Sequence, residues 1–327
     1  MKKTLLLSLA GMVIAAGGGL GWLLLRKPAA APPSSIRVPM TPERIARGKY
    51  LFEAVADCDG CHSERDFSRF GGPIVPSGRG KGFRFPDAMG LPGSVVASNI
   101  TPDPETGIGA WTDGEKIRAI REGVSRDGRA LFPMMGYPRF RRMSDEDVES
   151  LVAFLNTLKP VRNSLTKTKL AFPVSVLVNS EPRPVGSVPA PDRSNPVRYG
   201  EYMATLAGCV ECHTPMVNGR PDMARLLAGG ETFQFSPTLI AVSANISPDG
   251  ETGIGAWSEQ RFLDTFYRYR AYAEKEPPKV GPERFTVMPW LGLTRMKEDD
   301  LKAIFAYLRT FQPVRNAVAA HPLMAAR

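Results

Sequence analysis

Cysteine and histidine are scarce in this chain, which has four cysteines and three histidines among 327 residues. Zinc sites built from two C-x-x-C pairs usually have about 15–20 residues between the pairs, whereas Cys61 and Cys209 lie in different halves of the chain. The D-x-[DN]-x-[DN]-G spacing of a calcium-binding loop is missing. The sequence therefore argues against the usual zinc and calcium frameworks.

The chain also lacks a strong excess of charge outside its N-terminus. Its formal net charge is +9, but four of the positive residues, Lys2, Lys3, Arg26 and Lys27, flank an apolar run at the N-terminus. The remaining excess is modest and does not resemble a nucleic-acid footprint. We therefore expect no nucleic-acid partner.

The apolar run itself extends from Thr4 to Leu25 without a charged residue. As a helix it would span about 33 Å, enough for a bilayer core of about 30 Å. It predicts a membrane anchor over residues 1–27, followed by a proline-rich linker at 28–40. A signal cleaved near Ala29-Ala30-Ala31 is the alternative. Both interpretations place the rest of the chain in the periplasm, either anchored at the bacterial inner membrane or soluble.

All four cysteines and two of the three histidines belong to two copies of one motif, Cys58-Asp-Gly-Cys61-His62 and Cys209-Val-Glu-Cys212-His213. On a helix, residues at i, i+3 and i+4 leave from one face. The C-x-x-C-H pattern is typical of covalent c-type haem attachment, with the histidine as the proximal iron ligand. It predicts two covalently bound haem c groups, with redox disulfides or a metal site as the alternatives.

The chain repeats itself beyond these motifs. Asn99-Ile-Thr-Pro-Asp-Pro-Glu-Thr-Gly-Ile-Gly-Ala-Trp111 returns nearly unchanged at 245–257, and Gly71-Gly72 is matched to Gly229-Gly230. The repeat predicts two copies of one domain in tandem. The predicted domains are an anchor at 1–27, a linker at 28–40, a first domain at 41–163, a connector at 164–194, a second domain at 195–316 and a tail at 317–327.

Each copy is predicted to begin and end with a helix, which makes the expected fold class all-α with long Gly/Pro-rich loops. Thr41-Pro42 and Asn195-Pro196 are signals for the start of a helix. The closing helices have apolar residues at i, i+3, i+4 and i+7: Val148, Leu151, Val152 and Leu155, and Leu301, Ile304, Phe305 and Leu308. Gly48 and Gly200 would allow the opening and closing helices to approach closely.

The presence or absence of a sixth iron ligand from the protein distinguishes an electron-transfer haem from one that binds small molecules. Methionine is a soft ligand that raises the reduction potential of the iron. Met135 and Met288 repeat just before the two closing helices, so they are the predicted distal ligands. Met134 is the alternative to Met135. His321 lies outside both copies and is not expected to bind iron.

Two other pairs of repeated residues have predicted roles: the methionines belong to the core, and two alternative roles are open for the tryptophans. Met143 and Met296 lie at the start of the closing helices and are predicted to be buried. Trp111 and Trp257 end the repeated loop. Each indole N–H would bond a haem propionate or a backbone oxygen, or the ring would simply fill the core.

Two further segments are predicted to act at the surface or between the domains. Arg139, Arg141 and Arg142 follow Met135 and would either guide an acidic partner or form a solvated face. The connector contains an apolar stretch, residues 170–178. We expect the connector to lie across both domains, to fix the separation of the haems and to resist limited proteolysis.

The order of these motifs resembles the multi-haem cytochrome c subunits of membrane-bound bacterial alcohol and gluconate dehydrogenases. The likeness covers roughly residues 41–316. It depends most on the loop at 99–111, which ends at Trp111, and on residues 131–138 around Met135. It implies class I cytochrome c domains, with Cys58, Cys61, Cys209 and Cys212 holding the haems, His62 and His213 proximal and Met135 and Met288 distal. Those subunits typically carry three haem units, whereas this chain has two motifs.

The resemblance implies electron transfer from a periplasmic dehydrogenase to an oxidase, a quinone site or a soluble cytochrome. As the sequence stands, a free-standing anchored shuttle is as plausible as a dehydrogenase subunit. The leading interpretation is thus a non-catalytic electron carrier. The alternative is a dihaem redox enzyme, such as a peroxidase or sulfur-compound oxidase, or a haem sensor. Either would need one open iron, which repeated methionines argue against.

Overall fold

The computed structural model of the protein describes residues 19, 21, 22 and 24–320. Most of the predicted anchor, together with residues 321–327 of the predicted tail and His321, lies outside the described residues. Within the described part of the chain, no helix has both the length and the apolar character needed to cross a membrane.

Helices joined by long irregular segments make up most of the regular structure. In chain order they are α1 Pro42–Tyr50, α2 Cys58–His62, α3 Asp113–Glu122, α4 Tyr137–Phe140, α5 Asp145–Leu155, α6 Val174–Leu177, α7 Pro196–Ala207, α8 Cys209–His213, α9 Glu259–Tyr267, α10 Arg270–Glu274, α11 Trp290–Leu293 and α12 Glu298–Leu308. A π-helix, Leu51–Val55, directly continues α1. The predicted N-caps are confirmed, since the side chains of Thr41 and Asn195 accept bonds from the first turns of α1 and α7.

Short antiparallel strand pairs, which the all-α prediction did not include, brace the loops. The strands are β1 Phe83–Arg84, β2 Gly93–Ser94, β3 Val96–Ala97, β4 Lys169–Leu170, β5 Met216–Val217, β6 Arg220–Pro221, β7 Thr232–Gln234 and β8 Ile240–Val242. They pair as β1 with β3, β2 with β4, β5 with β6 and β7 with β8. Strands this short have too few residues to show an alternating pattern, so periodicity did not predict them.

Two helix pairs of the same kind dominate the packing: α1 lies against α5, and α7 lies against α12. The predicted glycine contacts are confirmed. A Cβ atom at Gly48 would lie 1.8 Å from the Ser150 carbonyl oxygen, and one at Gly200 would lie 1.8 Å from that of Ala303. Only glycine permits backbones to come this close. Met143 and Met296 are fully buried beside these helices, as predicted.

The π-helix accounts for a small difference between the two halves. Along the chain, Tyr50 is one residue further from Cys58 than Tyr202 is from Cys209. A π-helix bonds i to i+5 and therefore absorbs one additional residue inside a helix. The Leu51–Val55 segment is thus the place where the first half accommodates its extra residue.

Two tyrosines join the halves in a reciprocal way. The Tyr202 hydroxyl donates to Asp147 Oδ2 at 2.6 Å and accepts from the Ser144 N–H at 3.2 Å. The Tyr50 hydroxyl donates to Asp300 and accepts from the Lys297 N–H at 3.1 Å. Each opening helix therefore bonds the first turn of the closing helix of the other half, as in an isologous interface. We call these contacts the tyrosine clasp.

We predict that the tyrosine clasp weakens at alkaline pH. Burial, followed by the neighbouring carboxylates Asp300 and Asp147, raises the pKa of Tyr50 and Tyr202 above the ordinary tyrosine value. Because the fold favours the neutral phenols, their contribution is complete below about pH 10 and is lost as the pH rises further.

The test compares denaturant midpoints at pH 7 and at alkaline pH for the holoprotein and for Tyr50→Phe combined with Tyr202→Phe. At pH 7 each substitution should cost about 1–3 kcal/mol, because it removes a bond to a charged acceptor. The double variant should then lose less stability than the parent at alkaline pH. Tyr272→Phe is the control, since its hydroxyl bonds no described residue. An unchanged alkaline loss in the double variant would contradict the prediction.

A segment of the second half, residues 269–280, also packs on the first half. The Phe70 N–H donates to the Pro278 carbonyl at 2.9 Å, and the Val280 N–H donates to that of Ser68 at 2.9 Å. The rings of Phe70 and Tyr269 stack at 4.7 Å. The segment between Trp257 and Met288 is longer than its counterpart in the first half, and the additional chain forms this contact.

The connector only partly behaves as predicted: near its end the Arg193 guanidinium lies over the Tyr199 ring of the second half at 5.0 Å, but the rest of the connector bonds to the first half. Its hydrogen bonds to described residues outside it go to the first half: Thr168 to Val96, Val185 to Glu122 and Val188 to Asp145. The apolar residues Phe172 and Leu177 remain exposed. The halves are instead joined by one hydrophobic core that contains residues of both, by the tyrosine clasp and by the main-chain and aromatic contacts of residues 269–280. Resistance of the connector to proteolysis stays a prediction.

Candidate haem-attachment sites

Each C-x-x-C-H motif forms a short helix of its own, α2 in the first half and α8 in the second, as the i, i+3, i+4 spacing predicts. A left-handed residue separates each from the preceding helix: Asp57 with φ 47° and Gly208 with φ 72°. All four cysteines are free thiols, so the disulfide alternative is not observed. Within the described residues no His/Cys/Asp/Glu cluster is suited to a metal ion alone.

Each of the two histidines makes the same kind of hydrogen bond to a backbone carbonyl. His62 Nδ1 lies 2.7 Å from the Ser98 carbonyl oxygen, and His213 Nδ1 lies 2.7 Å from that of Ala244. A carbonyl only accepts, so Nδ1 carries the proton and Nε2 keeps its lone pair. Protein-bound metals typically have histidine ligands oriented in this way. The residues therefore fit a haem whose iron binds Nε2 of His62 or His213.

Sequence reasoning missed the Ser98 and Ala244 carbonyls, because a backbone acceptor has no side-chain signature. The available signal was position, since both residues directly precede the repeated loop. In that loop Asn99 donates to the Val161 carbonyl at 2.8 Å, and Asn245 donates to that of Val314 at 2.8 Å. The loop thereby holds each carbonyl in place against the segment after the closing helix.

The predicted match of Gly71-Gly72 to Gly229-Gly230 is wrong. The Gly229 N–H donates to the His213 carbonyl at 2.8 Å, and its counterpart is the Gly82 N–H, which donates to the His62 carbonyl at 2.9 Å. Gly71 and Gly72 instead accept bonds from the Arg65 side chain. The two Gly-Gly pairs are therefore not equivalent positions. The equivalent glycines are the two whose N–H bonds the histidine carbonyl.

Burial shifts the pKa of the histidines and cysteines in both motifs. It lowers the pKa of His62 and His213, so both imidazoles are neutral at pH 7, as iron ligation requires. Burial also raises the pKa of the Cys61 thiol to about 11 and of the Cys209 thiol to about 12. Neutral thiols and neutral imidazoles are thus the resting forms before haem is attached.

The predicted distal methionines lie in comparable places. Met135 and Met288 are partly buried and pack against the main core, as do Cys58 and Cys209. Met134 packs instead with Cys61 on a separate small cluster of Phe85, Val95 and Ala97. The packing thus distinguishes Met135, which shares the surroundings of Met288, from its neighbour.

The two tryptophan rings lie between the buried core and the solvent. Trp111 and Trp257 are half-buried and pack at the margin of the main core. Neither indole N–H donates to another residue of the described part, so bonding to a propionate stays a prediction.

The three arginines after Met135 make contacts that were not predicted from the sequence. Arg139 pairs with Glu211 at 3.4 Å, and Arg142 pairs with Glu201 at 3.1 Å, both across to the second half. Arg141 donates to the Glu181 carbonyl in the connector at 3.1 Å. Arg139 and Arg141 thus contact other parts of the protein, whereas the Arg142 side chain stays 61% exposed, in keeping with the predicted solvated face.

Known proteins agree with this geometry. The cytochrome c family model matches residues 45–159. A "diheme cytochrome c-type" protein of Cereibacter sphaeroides is 31% identical over 255 residues, which is 76% of this chain and 80% of that protein. The chain belongs to the cytochrome c family. Its cytochrome c domain implies covalently bound haem c and electron transfer.

Other relatives of this cytochrome are dehydrogenase subunits, which confirms the resemblance. The cytochrome c subunit of alcohol dehydrogenase (quinone) from Komagataeibacter europaeus is 30% identical over 83% of this chain and 56% of that subunit. The gluconate 2-dehydrogenase cytochrome c subunit of Pantoea cypripedii is 27% identical over 81% of this chain and 59% of that subunit. This cytochrome spans little more than half the length of those subunits.

Proposed function

We propose that this cytochrome carries two haem c groups, one in each half, and passes single electrons from a periplasmic dehydrogenase towards the respiratory chain. The observation that carries the proposal is the repeated histidine bond. In both halves Nδ1 donates to a carbonyl at 2.7 Å, which leaves Nε2 for iron. The same histidine orientation in both halves supports one haem in each.

The chain's own residues supply attachment, ligation and enclosure. Cys58 with Cys61, and Cys209 with Cys212, would hold the two haems covalently, and His62 and His213 would be the proximal ligands. Met135 and Met288 would be the distal ligands. When bound, haem supplies reversible one-electron chemistry at its iron, and a methionine ligand favours the ferrous state.

A carrier is favoured over a dihaem enzyme or a haem sensor because of the repeated methionine. An enzyme that binds a small molecule at iron needs an open or displaceable sixth position. Met135 and Met288 occupy matching positions at the margin of the same core, so neither half is distinguished as an open site.

We also propose that the haem-bearing part lies on the periplasmic side of the inner membrane, held by the apolar N-terminal segment or released after its cleavage. The apolar run from Thr4 to Leu25 supports export. The donor would be a periplasmic dehydrogenase, as the names of the alcohol, fructose and gluconate dehydrogenase relatives suggest. An oxidase, a quinone site or a soluble cytochrome would accept the electrons.

The test is the visible spectrum of the dithionite-reduced holoprotein before and after carbon monoxide is added. We expect no rapid change, because Met135 and Met288 would occupy the sixth position of the two irons. A rapid shift in about half of the haem would indicate one open iron. That result would replace the carrier with a dihaem enzyme or a sensor.

A further inference from the structure

Arg139 lies at the point where the two attachment helices approach each other. It belongs to α4, which begins two residues after Met135, and Gly136 makes the intervening left-handed turn with φ 80°. Its Nη1 lies 3.4 Å from Glu211 Oε2, inside the second motif. A Cβ atom at Gly208, directly before Cys209, would lie 3.5 Å from Arg139 Cζ. A residue of the first half is thus seated against the second attachment helix.

The guanidinium also lies close to the first half's own predicted haem ligand. A Cβ atom at Gly136, directly after Met135, would lie 2.7 Å from Arg139 Cζ, so the guanidinium is folded back beside the predicted distal ligand of the first half. One positive charge therefore lies within electrostatic reach of both haem-attachment sites.

This charge is only partly neutralised. The ion pair with Glu211 is long at 3.4 Å, and Nε of Arg139 is buried without a hydrogen-bond partner in the described part of the protein. The side chain is 23% exposed, and its guanidinium lies over the Phe140 ring at 4.6 Å. A charge with little water around it keeps much of its field, although the Asp57 carboxylate lies within electrostatic range of it in addition to Glu211.

We propose that Arg139 is a positioning residue shared by the two haem sites, and that its charge raises the reduction potentials of both. The inference rests on the proposed function, because it presumes haem in both halves. Reduction adds one electron to a haem and changes no bond or proton. A fixed positive charge beside the haem stabilises the product more than the ferric form, so the ferrous state is favoured.

The experiment is a spectroelectrochemical titration of the holoprotein and of Arg139→Met, Arg139→Lys and Arg142→Met. In Arg139→Met the ferrous-to-ferric ratio at a fixed potential should fall about tenfold at both haems, a shift of about 59 mV for one electron. Arg139→Lys keeps the charge and should restore most of the shift. Arg142→Met is the matched control, since that side chain is 61% exposed and pairs with Glu201.

Glu211→Gln provides an independent measurement if Arg139→Met fails to load haem. Removing the counter-ion should raise the potentials, most strongly in the second half. Unchanged potentials in Arg139→Met, or in Glu211→Gln when Arg139→Met does not load, would overturn the inference. Equal shifts in Arg139→Met and Arg142→Met would also overturn it. A parent protein with fewer than two haems would instead refute the proposed function, so the two failures are distinguishable.

Discussion

Replacing Met135 by alanine is expected to open one of the two irons to carbon monoxide. Loss of the thioether would remove the proposed sixth ligand of the first haem and would leave the second haem unaffected. About half of the haem in the reduced protein should then bind carbon monoxide, and the potential of that half should fall, because methionine favours the ferrous state. Met288→Ala should have the same effect on the other half. Visible spectra and a redox titration measure both changes.

Met134→Ala is the matched control, since Met134 is adjacent in sequence but packs on the separate cluster of Phe85, Val95 and Ala97. It should leave carbon monoxide binding and both potentials as in the parent. If Met134→Ala opened an iron and Met135→Ala did not, the assignment of the distal ligand in the first half would be reversed. The Met288 assignment would not be affected.

Alanine at Gly48 or Gly200 is expected to be the most destabilising small substitution in the fold. The new Cβ atom would lie 1.8 Å from a backbone carbonyl oxygen of the facing helix, so a helix must move. Overpacking that side-chain rotation cannot relieve should cost at least about 3 kcal/mol, or prevent folding. Denaturant unfolding of the holoprotein, followed by far-UV circular dichroism, measures the loss.

Gly250→Ala is the control, because a Cβ atom there meets no atom within 4 Å. Its effect should stay within about 0.5 kcal/mol. Holoproteins with alanine at Gly48 and at Gly250 that unfold at the same denaturant concentration would show that the close helix crossing is not required. The helix pairing described above would then be wrong for the first half.

The sequence predicted features that depend on local residue types. The attachment helices followed from the spacing of Cys58, Cys61 and His62, and the helix starts from the capping residues Thr41 and Asn195. The close approach at Gly48 and Gly200 followed from the absence of a side chain between two apolar stripes. In each case one residue type at one position carries the physical cause, so a single sequence was enough.

Features made by backbone atoms or by distant pairs were not predictable in this way. The carbonyls of Ser98 and Ala244 orient the histidines through main-chain atoms that every residue possesses. The tyrosine clasp joins residues that are far apart along the chain. Residues 170–178 were expected to join the halves because they are apolar, but the halves share a hydrophobic core and a set of polar and aromatic contacts that lie outside this stretch.

The most direct test of two haem sites is the intact mass of the purified holoprotein under denaturing conditions, which keeps only covalent attachments. We predict the mass of the chain plus two haems, and plus one haem for the variant with Cys209→Ser and Cys212→Ser. The matching variant of Cys58 and Cys61 should also keep one haem. A parent chain with a single haem, which one of these variants loses entirely, would contradict the account.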